Sequence, residues 1–185
     1  MLDRGDLGND PGGGGFIGQQ LVRTLLAHGR RVRVLDLRPP RFSATAVQYV
    51  RGSILDSKLL EAAFGDVEEV YHLAGLPGMW ARHKNDIHLI NAQGTAIVIA
   101  AARKRGVSRF LHCSTESILF RPSCTASALS EDVSVTLEQM PGAYTRSKML
   151  GEQQDCRLRR QAFPWSLLIR RCRSDHTTGI SRLRP

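Results

Sequence analysis

The feature that most constrains the fold is a run of four glycines followed directly by an amphipathic segment. The motif GGGGFIG places glycines at positions 12, 15 and 18. Glycine permits a tight turn and lets backbone N–H groups approach a ligand closely. In the following segment, Ile17, Leu21 and Leu25 are spaced four apart, which predicts one face of a helix that ends near Gly29. A helix that begins at such a loop presents its positive end to a phosphate.

Strand-like and helix-like segments alternate after this helix. Short runs rich in β-branched residues predict five strands: RVRVLDL, VQYVRG, VEEVYHLAG, VSRFLHCST and WSLLIR. Helices are predicted in SILDSKLLEAAFG with Ser57 as N-cap, from about Asp86 to Arg105, and in YTRSKMLGEQQDCRLRRQ. This alternation predicts right-handed βαβ units in a doubly wound parallel α/β fold. Residues 120–140 are rich in Ser, Thr, Pro and Ala and predict an irregular loop.

The residues before the glycine run do not fit the strand that such a fold needs there. A Rossmann-type fold begins with a buried strand that leads into the glycine loop and lies inside the sheet, in the order 3-2-1-4-5-6. The segment MLDRGDLGNDP has only Met1, Leu2 and Leu7 as apolar residues and ends in Pro11. We therefore expect a three-layer α/β sandwich whose sheet lacks a regular first strand.

An aspartate follows the glycine loop at the distance expected for ribose recognition. Asp36 ends the run RVRVLDL, 18 residues after Gly18. An acidic side chain there can accept hydrogen bonds from both ribose hydroxyls of a dinucleotide. A glycine run alone resembles a flexible linker, but the helix and this aspartate strengthen the cofactor interpretation. We expect NAD; NADP stays open because Arg38 and Arg41 can accommodate a 2′-phosphate.

Tyr144 and Lys148 lie four residues apart, which places both on one face of a predicted helix. We expect the ammonium to lower the pKa of the phenol toward neutrality. Tyr144 can then exchange a proton with a substrate hydroxyl while hydride passes to a nicotinamide. Thr115 or Ser114, at the end of a strand, can hold the same oxygen. The pair is common by chance, but its position after a glycine loop favours the catalytic interpretation over a surface pair.

Six motifs in order along the chain resemble the extended short-chain dehydrogenase/reductases: GGGGFIGQQLV, RVRVLDLRPP, VYHLAG, WARHKNDIHLINAQGT, GVSRFLHCST and GAYTRSKMLGE. The resemblance covers about residues 12–170. It is closest to dihydroflavonol-reductase-like proteins and hopanoid-associated sugar epimerases of the NAD-dependent epimerase/dehydratase family. It implies an NAD(P)-dependent oxidoreductase or epimerase acting on a sugar nucleotide or a dihydroflavonol- or 3β-hydroxysteroid-like molecule. The alternative is a non-catalytic remnant that binds nucleotide weakly or not at all.

The resemblance also implies individual roles. Cofactor-binding residues are expected at Gly12, Gly15, Phe16, Ile17, Gly18, Asp36, Asp56, Ala74, Gly75, Asn91, Tyr144 and Lys148. Among these, Asp56 matches an acid beside the adenine, and Asn91 matches an asparagine on the helix beside the site. Tyr144, Lys148 and Thr115 match the catalytic set.

Both ends of the chain depart from the family pattern. The family has a strand before the glycines and a C-terminal substrate domain, whereas residues 171–185 read RCRSDHTTGISRLRP. We therefore expect truncation at both ends. The expected organisation is an atypical segment at 1–11, a Rossmann domain at 12–170, and a basic, non-native tail at 171–185.

Charge and composition exclude several other classes of protein. The net charge is +9, and residues 151–185 hold eight arginines against three acidic residues, but no aromatic stacking platform accompanies them, which disfavours a nucleic-acid partner. Scattered cysteines and histidines predict no metal site. The chain shows no secretory signal and no apolar run of about 20 residues, so we expect a cytoplasmic protein with no membrane partner. Its expected partner is a small-molecule substrate, and a homodimer stays open.

Overall fold

The computed structural model describes residues 15–40, 47–77, 84–119, 135–160 and 166–169. The strands are β1 (Val32–Asp36), β2 (Val47–Arg51), β3 (Glu69–His72), β4 (Arg109–Cys113) and β5 (Ser166–Ile169). The helices are α1 (Phe16–Ala27), α2 (Ser57–Ala63), α3 (Lys84–His88), α4 (Thr95–Lys104) and α5 (Gly142–Arg160). A π-helical turn, Leu89–Gly94, joins α3 to α4, and single 3-10 turns cover Glu116–Ile118 and Leu137–Gln139.

Every strand pairing in the described structure is parallel. Val32 lies opposite Val47 in the pair β1–β2, while β4 pairs with both β3 and β5. The strands form two groups, β1-β2 and β3-β4-β5, and no described strand joins β1 to β3. The predicted α/β class with its parallel strands is confirmed. The expectation for residues 1–11 lies outside the described residues.

The largest apolar core lies where α2 and α4 pack on β3 and β4. Phe110 on β4 is fully buried, and Val70 on β3 packs beside it. Helix α4 approaches the sheet closely because it presents alanines there, with Ala102 fully buried. Burial of a side chain such as that of Phe110 contributes about 1.5–3 kcal/mol. This core supports the strands whose carboxyl ends carry the candidate site.

Two local expectations need correction. Helix α1 buries Gly18 and Val22, whereas Ile17 is 42% exposed and is not part of a buried face with the later leucines. The N-cap of α2 is Asp56, whose side chain accepts a hydrogen bond from the Leu59 N–H, and Ser57 is the first helical residue. A carboxylate is favoured at that cap because it also interacts with the positive end of the helix.

The helix predicted from Asp86 to Arg105 starts earlier and is not regular. It runs from Lys84 to Lys104 and widens into a π-helical turn in its middle. Hydrophobic periodicity does not distinguish such a turn from an α-helix, and π-helical turns of this kind are frequent at functional sites. Most of the predicted loop at 120–140 lies outside the described residues. No helix in the described ranges is both long enough and apolar enough to cross a bilayer.

Candidate active site

The predicted site residues lie in the segments that follow three parallel strands. Asp36 ends β1, Gly75 follows β3, and Thr115 follows β4. The carboxyl ends of parallel strands meet at one edge of a sheet, and open α/β folds bind ligands at that edge. The first turns of α5 bring Tyr144 and Lys148 to the same edge, since contacts join them to segments after β4 and β3.

Tyr144 and Thr115 lie near each other. Thr115 is close enough to the phenol of Tyr144 to influence its pKa. Thr115 Oγ1 also donates to the Ser117 hydroxyl at 3.1 Å and caps the 3-10 turn that follows it. Burial raises the pKa of Tyr144 above its ordinary value, while the neighbouring Thr115 lowers it by less. Tyr144 is therefore protonated at neutral pH.

Lys148 is nearly inaccessible, with 6% of its surface exposed. Its ammonium donates a hydrogen bond to the carbonyl oxygen of Cys113 at 2.8 Å. Burial lowers the pKa of Lys148, and the neighbouring Cys113 and Glu152 raise it. The prediction that Lys148 lowers the pKa of Tyr144 toward neutrality is wrong for this arrangement, because the ammonium is bound to a backbone carbonyl and burial dominates at the phenol.

Asn91 organises the site from the π-helical turn. Its side-chain oxygen accepts a hydrogen bond from the Leu76 N–H at 2.7 Å. Its amide nitrogen donates to the Leu76 carbonyl at 3.0 Å and to the Ser147 hydroxyl at 3.1 Å. Asn91 is only 1% exposed. Its side chain is thus committed to holding the segment after β3 against α5, and it positions the site residues.

Two glycines allow the segment after β3, the π-helical turn and α5 to approach one another. A Cβ added to Gly75 would lie 3.2 Å from Asn91 Oδ1 and 3.8 Å from Lys148 Nζ. A Cβ added to Gly151 on α5 would lie 2.6 Å from the Asn91 carbonyl oxygen, closer than real contacts permit. The predicted position of Gly75 in the turn lining the site therefore has a steric basis. Ala74, beside it, is half-buried.

The start of α1 and the end of β1 have features that suit a dinucleotide. Gly15 is the N-cap of α1 and provides no side-chain cap, while Phe16 is 84% exposed. The first-turn N–H groups therefore have no side-chain acceptor at the N-cap and suit a phosphate. Asp36 is 7% exposed, and its carboxylate accepts a hydrogen bond from the Arg38 N–H. Gly12 lies outside the described residues.

The structure adds residues that the sequence interpretation missed. The Ser114 hydroxyl donates to the Glu152 carboxylate at 2.6 Å, and both side chains are buried. Ser114 is therefore engaged with Glu152, while Thr115 meets the phenol of Tyr144. Glu152 follows Lys148 by four residues, so its place on the same helix face was visible in the sequence. Its partner on β4 was not.

A stacked histidine pair lies close to Lys148. The rings of His72 and His112 stack with centroids 5.3 Å apart. His72 Nε2 lies 2.9 Å from the Thr95 hydroxyl, which itself donates to the Asn91 carbonyl, so His72 is the donor in the first bond. Burial lowers the pKa of His72 to about 3 and that of His112 well below its usual range. Both rings are neutral at physiological pH and add no charge to the site.

Fold and site together define a class of protein. The chain has parallel βα units, a first helix with a glycine N-cap, and an acidic residue at the end of β1. It also has a Tyr–Lys pair beside a threonine that follows a strand. These features characterise a Rossmann-type dinucleotide-binding oxidoreductase. The sequence pattern of the NAD dependent epimerase/dehydratase family matches residues 11–173, and the chain belongs to that family. Among the described residues, no group of three or more His, Cys, Asp or Glu side chains is placed to hold a metal ion.

Several known proteins are similar to this chain. It is 31% identical over 144 residues to a 2-alkyl-3-oxoalkanoate reductase of Stenotrophomonas maltophilia, covering 77% of this chain and 43% of that protein. It is 30% identical to a putative dihydroflavonol 4-reductase of Synechocystis, covering 77% and 42%. The chain thus spans less than half the length of these relatives.

Solved structures show the same fold. A short-chain dehydrogenase/reductase superfamily protein from Agrobacterium tumefaciens with bound NAD superimposes with a TM-score of 0.73 at 28% identity, over 86% of this chain and 47% of that one. The Bordetella bronchiseptica enzyme WbmG, solved with NAD and UDP, superimposes with a TM-score of 0.71 at 25% identity, over 86% and 50%. The Rossmann-type short-chain dehydrogenase/reductase fold is thereby confirmed.

Proposed function

We propose that this chain carries the cofactor-binding half and the proton-transfer groups of an NAD(P)-dependent oxidoreductase or epimerase that acts on a secondary alcohol or the matching ketone. One observation carries the proposal: Thr115 lies close enough to the phenol of Tyr144 to influence its pKa, beside the buried ammonium of Lys148. A surface Tyr–Lys pair at helical spacing has no reason to bury its lysine. This arrangement offers two hydroxyls to one substrate oxygen.

The cofactor is assigned to the groove bordered by the start of α1 and the segments after β1 and β3. The N–H groups near Gly15 and Gly18 bind the pyrophosphate, with Gly12, Phe16 and Ile17 completing the loop. Asp36 accepts from the ribose hydroxyls, which favours NAD, with NADP left open by Arg38 and Arg41. Asp56, Ala74, Gly75 and Asn91 border the rest of the groove. When bound, the nicotinamide exchanges hydride with the substrate carbon.

The protonation state of Tyr144 indicates whether the site favours reduction of a ketone or oxidation of an alcohol. Because burial raises its pKa, the phenol carries a proton at neutral pH and acts as the acid in reduction of a ketone. Thr115 holds the same substrate oxygen while the proton is delivered. For oxidation of an alcohol, the ammonium of Lys148 must leave the Cys113 carbonyl and approach the phenol, since a nearby positive charge stabilises the phenolate.

We propose the substrate class from the names of the similar proteins. The similar proteins include a sterol-4-alpha-carboxylate 3-dehydrogenase of Mus musculus and, among solved structures, an enzyme bound to UDP. We assign a sugar nucleotide or a hydroxylated ring molecule of the sterol or dihydroflavonol kind. The assignment includes a cytoplasmic site of action and a Rossmann domain at 12–170, flanked by segments 1–11 and 171–185. Homodimerisation is compatible with it.

Calorimetry and a turnover assay test the proposal. Purified protein is titrated with NAD and then assayed with a panel of sugar nucleotides, flavonoids and sterols and their keto forms. We expect saturable NAD binding, and any turnover to fall at least about 100-fold in Tyr144→Phe, because general acid catalysis contributes about 10²–10⁴-fold. Turnover that persists in Tyr144→Phe would refute the assigned role. Absence of NAD binding would refute the cofactor assignment.

A second candidate is a nucleotide-binding remnant with little or no turnover. The chain spans less than half the length of the relatives it matches. Hydride transfer needs the substrate held within about 3–3.5 Å of its partner, and such positioning supplies about 7–11 kcal/mol. We expect the isolated chain to bind NAD and turn over slowly. Robust turnover that disappears in Tyr144→Phe would exclude the remnant.

A further inference from the structure

The middle of helix α5 buries two opposite charges one turn apart. Lys148 is 6% exposed and Glu152 is 5% exposed. Residues four apart lie on the same face of a helix, with their Cβ atoms about 5–6 Å from each other. Lysine and glutamate are almost never fully buried in proteins unless they are paired. The burial of both side chains on one helix face therefore indicates that each charge offsets the other.

Both side chains also reach the end of β4. The ammonium of Lys148 donates to the Cys113 carbonyl at 2.8 Å. The carboxylate of Glu152 accepts a hydrogen bond from the Ser114 hydroxyl at 2.6 Å. Cys113 is the last residue of β4, and Ser114 directly precedes Thr115. The two charges thus fasten consecutive residues of the strand end to α5, immediately before the threonine of the site.

Titratable groups from β3, β4 and α5 face the ammonium of Lys148 in the described part of the chain. The imidazoles of His72 on β3 and His112 on β4 are neutral at physiological pH, because burial lowers their pKa values. Cys113 contributes a thiol, which carries no charge until it loses its proton. Glu152 contributes a carboxylate, which stabilises the charged form of the lysine. In this set, Glu152 supplies the negative charge at neutral pH.

Burial and the carboxylate act on Lys148 in opposite directions. Burial lowers the pKa of Lys148 and is the larger effect, whereas Cys113 and Glu152 raise it. Removal of the carboxylate would leave the burial of the ammonium less opposed, so the lysine would lose its proton at a lower pH. A neutral amine does not stabilise a phenolate at Tyr144, so the charge of Lys148 matters to the chemistry proposed for the site.

We propose that Glu152 is a positioning residue of the active site, whose buried carboxylate holds the neighbouring Lys148 in its charged form and, together with it, fixes the end of β4 against α5. Glu152 acts through Lys148 and Ser114 and not on the substrate itself. Its consequence for turnover rests on the proposed function, in which Lys148 assists Tyr144. Its effect on the ionisation of Lys148 is measurable without substrate or cofactor.

NMR of the full chain tests the effect on Lys148 directly. The chain has four lysines, at positions 58, 84, 104 and 148, so ¹³C-labelled lysine gives a simple spectrum. The Cε signals are followed from about pH 7 to about pH 11, the range in which lysine side chains ionise. Lys148→Met removes one signal and thereby assigns it. Each titration is repeated with Cys113→Ser, so that ionisation of the thiol does not contribute.

Glu152→Gln removes the charge and keeps an oxygen that can accept from Ser114. We expect the midpoint of the Lys148 titration to move to lower pH by about one pH unit or more. Glu152→Asp, which keeps the charge, should restore most of the midpoint. Ser114→Ala keeps the carboxylate, and Glu68→Gln makes the matched substitution at an exposed position before β3. Both should leave the midpoint close to that of wild type.

Calorimetry with NAD connects this ionisation to the proposed function. The pH at which NAD affinity falls should be lower in Glu152→Gln than in wild type, by the same interval as the NMR midpoint. If the wild type binds no NAD at any pH while the NMR midpoint still moves, the proposed cofactor site is refuted and the effect of Glu152 on Lys148 is supported.

An unchanged midpoint in Glu152→Gln would overturn the proposal. A shift of equal size in Ser114→Ala would also overturn it, because the hydrogen bond and not the charge would then control Lys148. If Glu152→Gln does not fold, the double variant Glu152→Gln/Lys148→Met decides. Recovery of folding in the double variant would show that the unbalanced ammonium caused the failure and would support the proposal. Continued failure to fold would overturn it.

Discussion

The side-chain amide of Asn91 donates to the hydroxyl of Ser147 at 3.1 Å and so joins the π-helical turn to α5, one residue before Lys148. The same side chain makes both hydrogen bonds to the backbone of Leu76. One buried amide thus holds together the segment after β3, the turn between α3 and α4, and the helix that carries Tyr144.

Substitution of Asn91 tests the network directly. We expect Asn91→Ala to lower the free energy of unfolding by about 2–4 kcal/mol, because it leaves the buried N–H and C=O of Leu76 without their side-chain partners. Urea denaturation measures the loss. Asn85→Ala, at an exposed position of α3, is the control and should change stability by less than about 0.5 kcal/mol. Equal effects of the two substitutions would contradict the assigned role.

Gly151 tests the close approach of α5 to the π-helical turn. In Gly151→Ala the new Cβ would lie 2.6 Å from the Asn91 carbonyl oxygen, so the helix must shift. We expect a loss of about 1–3 kcal/mol in unfolding free energy, although alanine favours helices. Gly65→Ala is the matched control, since its Cβ would meet the nearest atom at an ordinary 3.5 Å. If the Gly151→Ala protein were as stable as wild type, the close approach of α5 to the Asn91 carbonyl would not limit stability.

The buried histidines predict acid sensitivity. The pKa of His72 falls from 6.5 to about 3 on folding, so between these values the unfolded chain binds a proton that the folded chain does not. Stability is therefore full above about pH 6.5 and is lost as pH falls, by up to about 1.4 kcal/mol per pH unit for each histidine. His72→Gln should flatten the profile measured by denaturation between pH 4 and 6.5. Exposed His88→Gln should leave the slope unchanged, and a flat wild-type profile would refute the prediction.

Substitution of Lys148 tests whether this residue has a functional or a structural role. Burial lowers its pKa, so the charged side chain is held at a cost to the fold. We expect Lys148→Met to retain or gain stability in urea denaturation while NAD affinity, measured by calorimetry, falls about tenfold or more. Lys58→Met, at an exposed position on α2, should change neither. Loss of stability without loss of NAD affinity would make Lys148 a structural residue.

The carboxylate of Asp36 predicts that the protein prefers NAD to NADP. A carboxylate at the end of β1 repels a 2′-phosphate, so calorimetric titration should show tighter binding of NAD than of NADP. Asp36→Asn should reduce that preference at least about tenfold. Asp66→Asn removes one charge at an exposed position before β3 and should leave the preference unchanged. Tighter NADP binding by the wild type would mean that Arg38 or Arg41 dominates.

Much of the fold was predictable because the strand and helix patterns in the sequence agree with the observed parallel α/β topology. The runs that predicted β1, β2, β3, β4 and β5 each contain the observed strand, because β-branched runs bounded by turn residues have few alternatives. A strand-end hydroxyl near Tyr144, at Thr115 or Ser114, was also expected from the sequence, since a helix start and a strand end converge at one edge of a parallel sheet. Helix α5 begins at Gly142, two residues before the tyrosine.

Properties that depend on neighbours distant in sequence were not predictable. The direction of the Tyr144 pKa shift depends first on burial, and then on the neighbouring Thr115, Glu116 and Cys113, none of which is a property of Y-x-x-x-K spacing. Asp56, and not Ser57, is the N-cap of α2. The direction of the chain after β2 decides which side-chain oxygen reaches the Leu59 N–H, and residue preference alone does not.

The sequence by itself determined the order of elements, the parallel α/β class and the family, because glycines, β-branched runs and helical spacing act locally. Only the tertiary structure decided that Asn91 positions the site from a π-helical turn and that the Ser114 hydroxyl donates to the carboxylate of Glu152. Both depend on packing between segments far apart along the chain, where hydrogen bonds and excluded volume act on distances that no local pattern encodes.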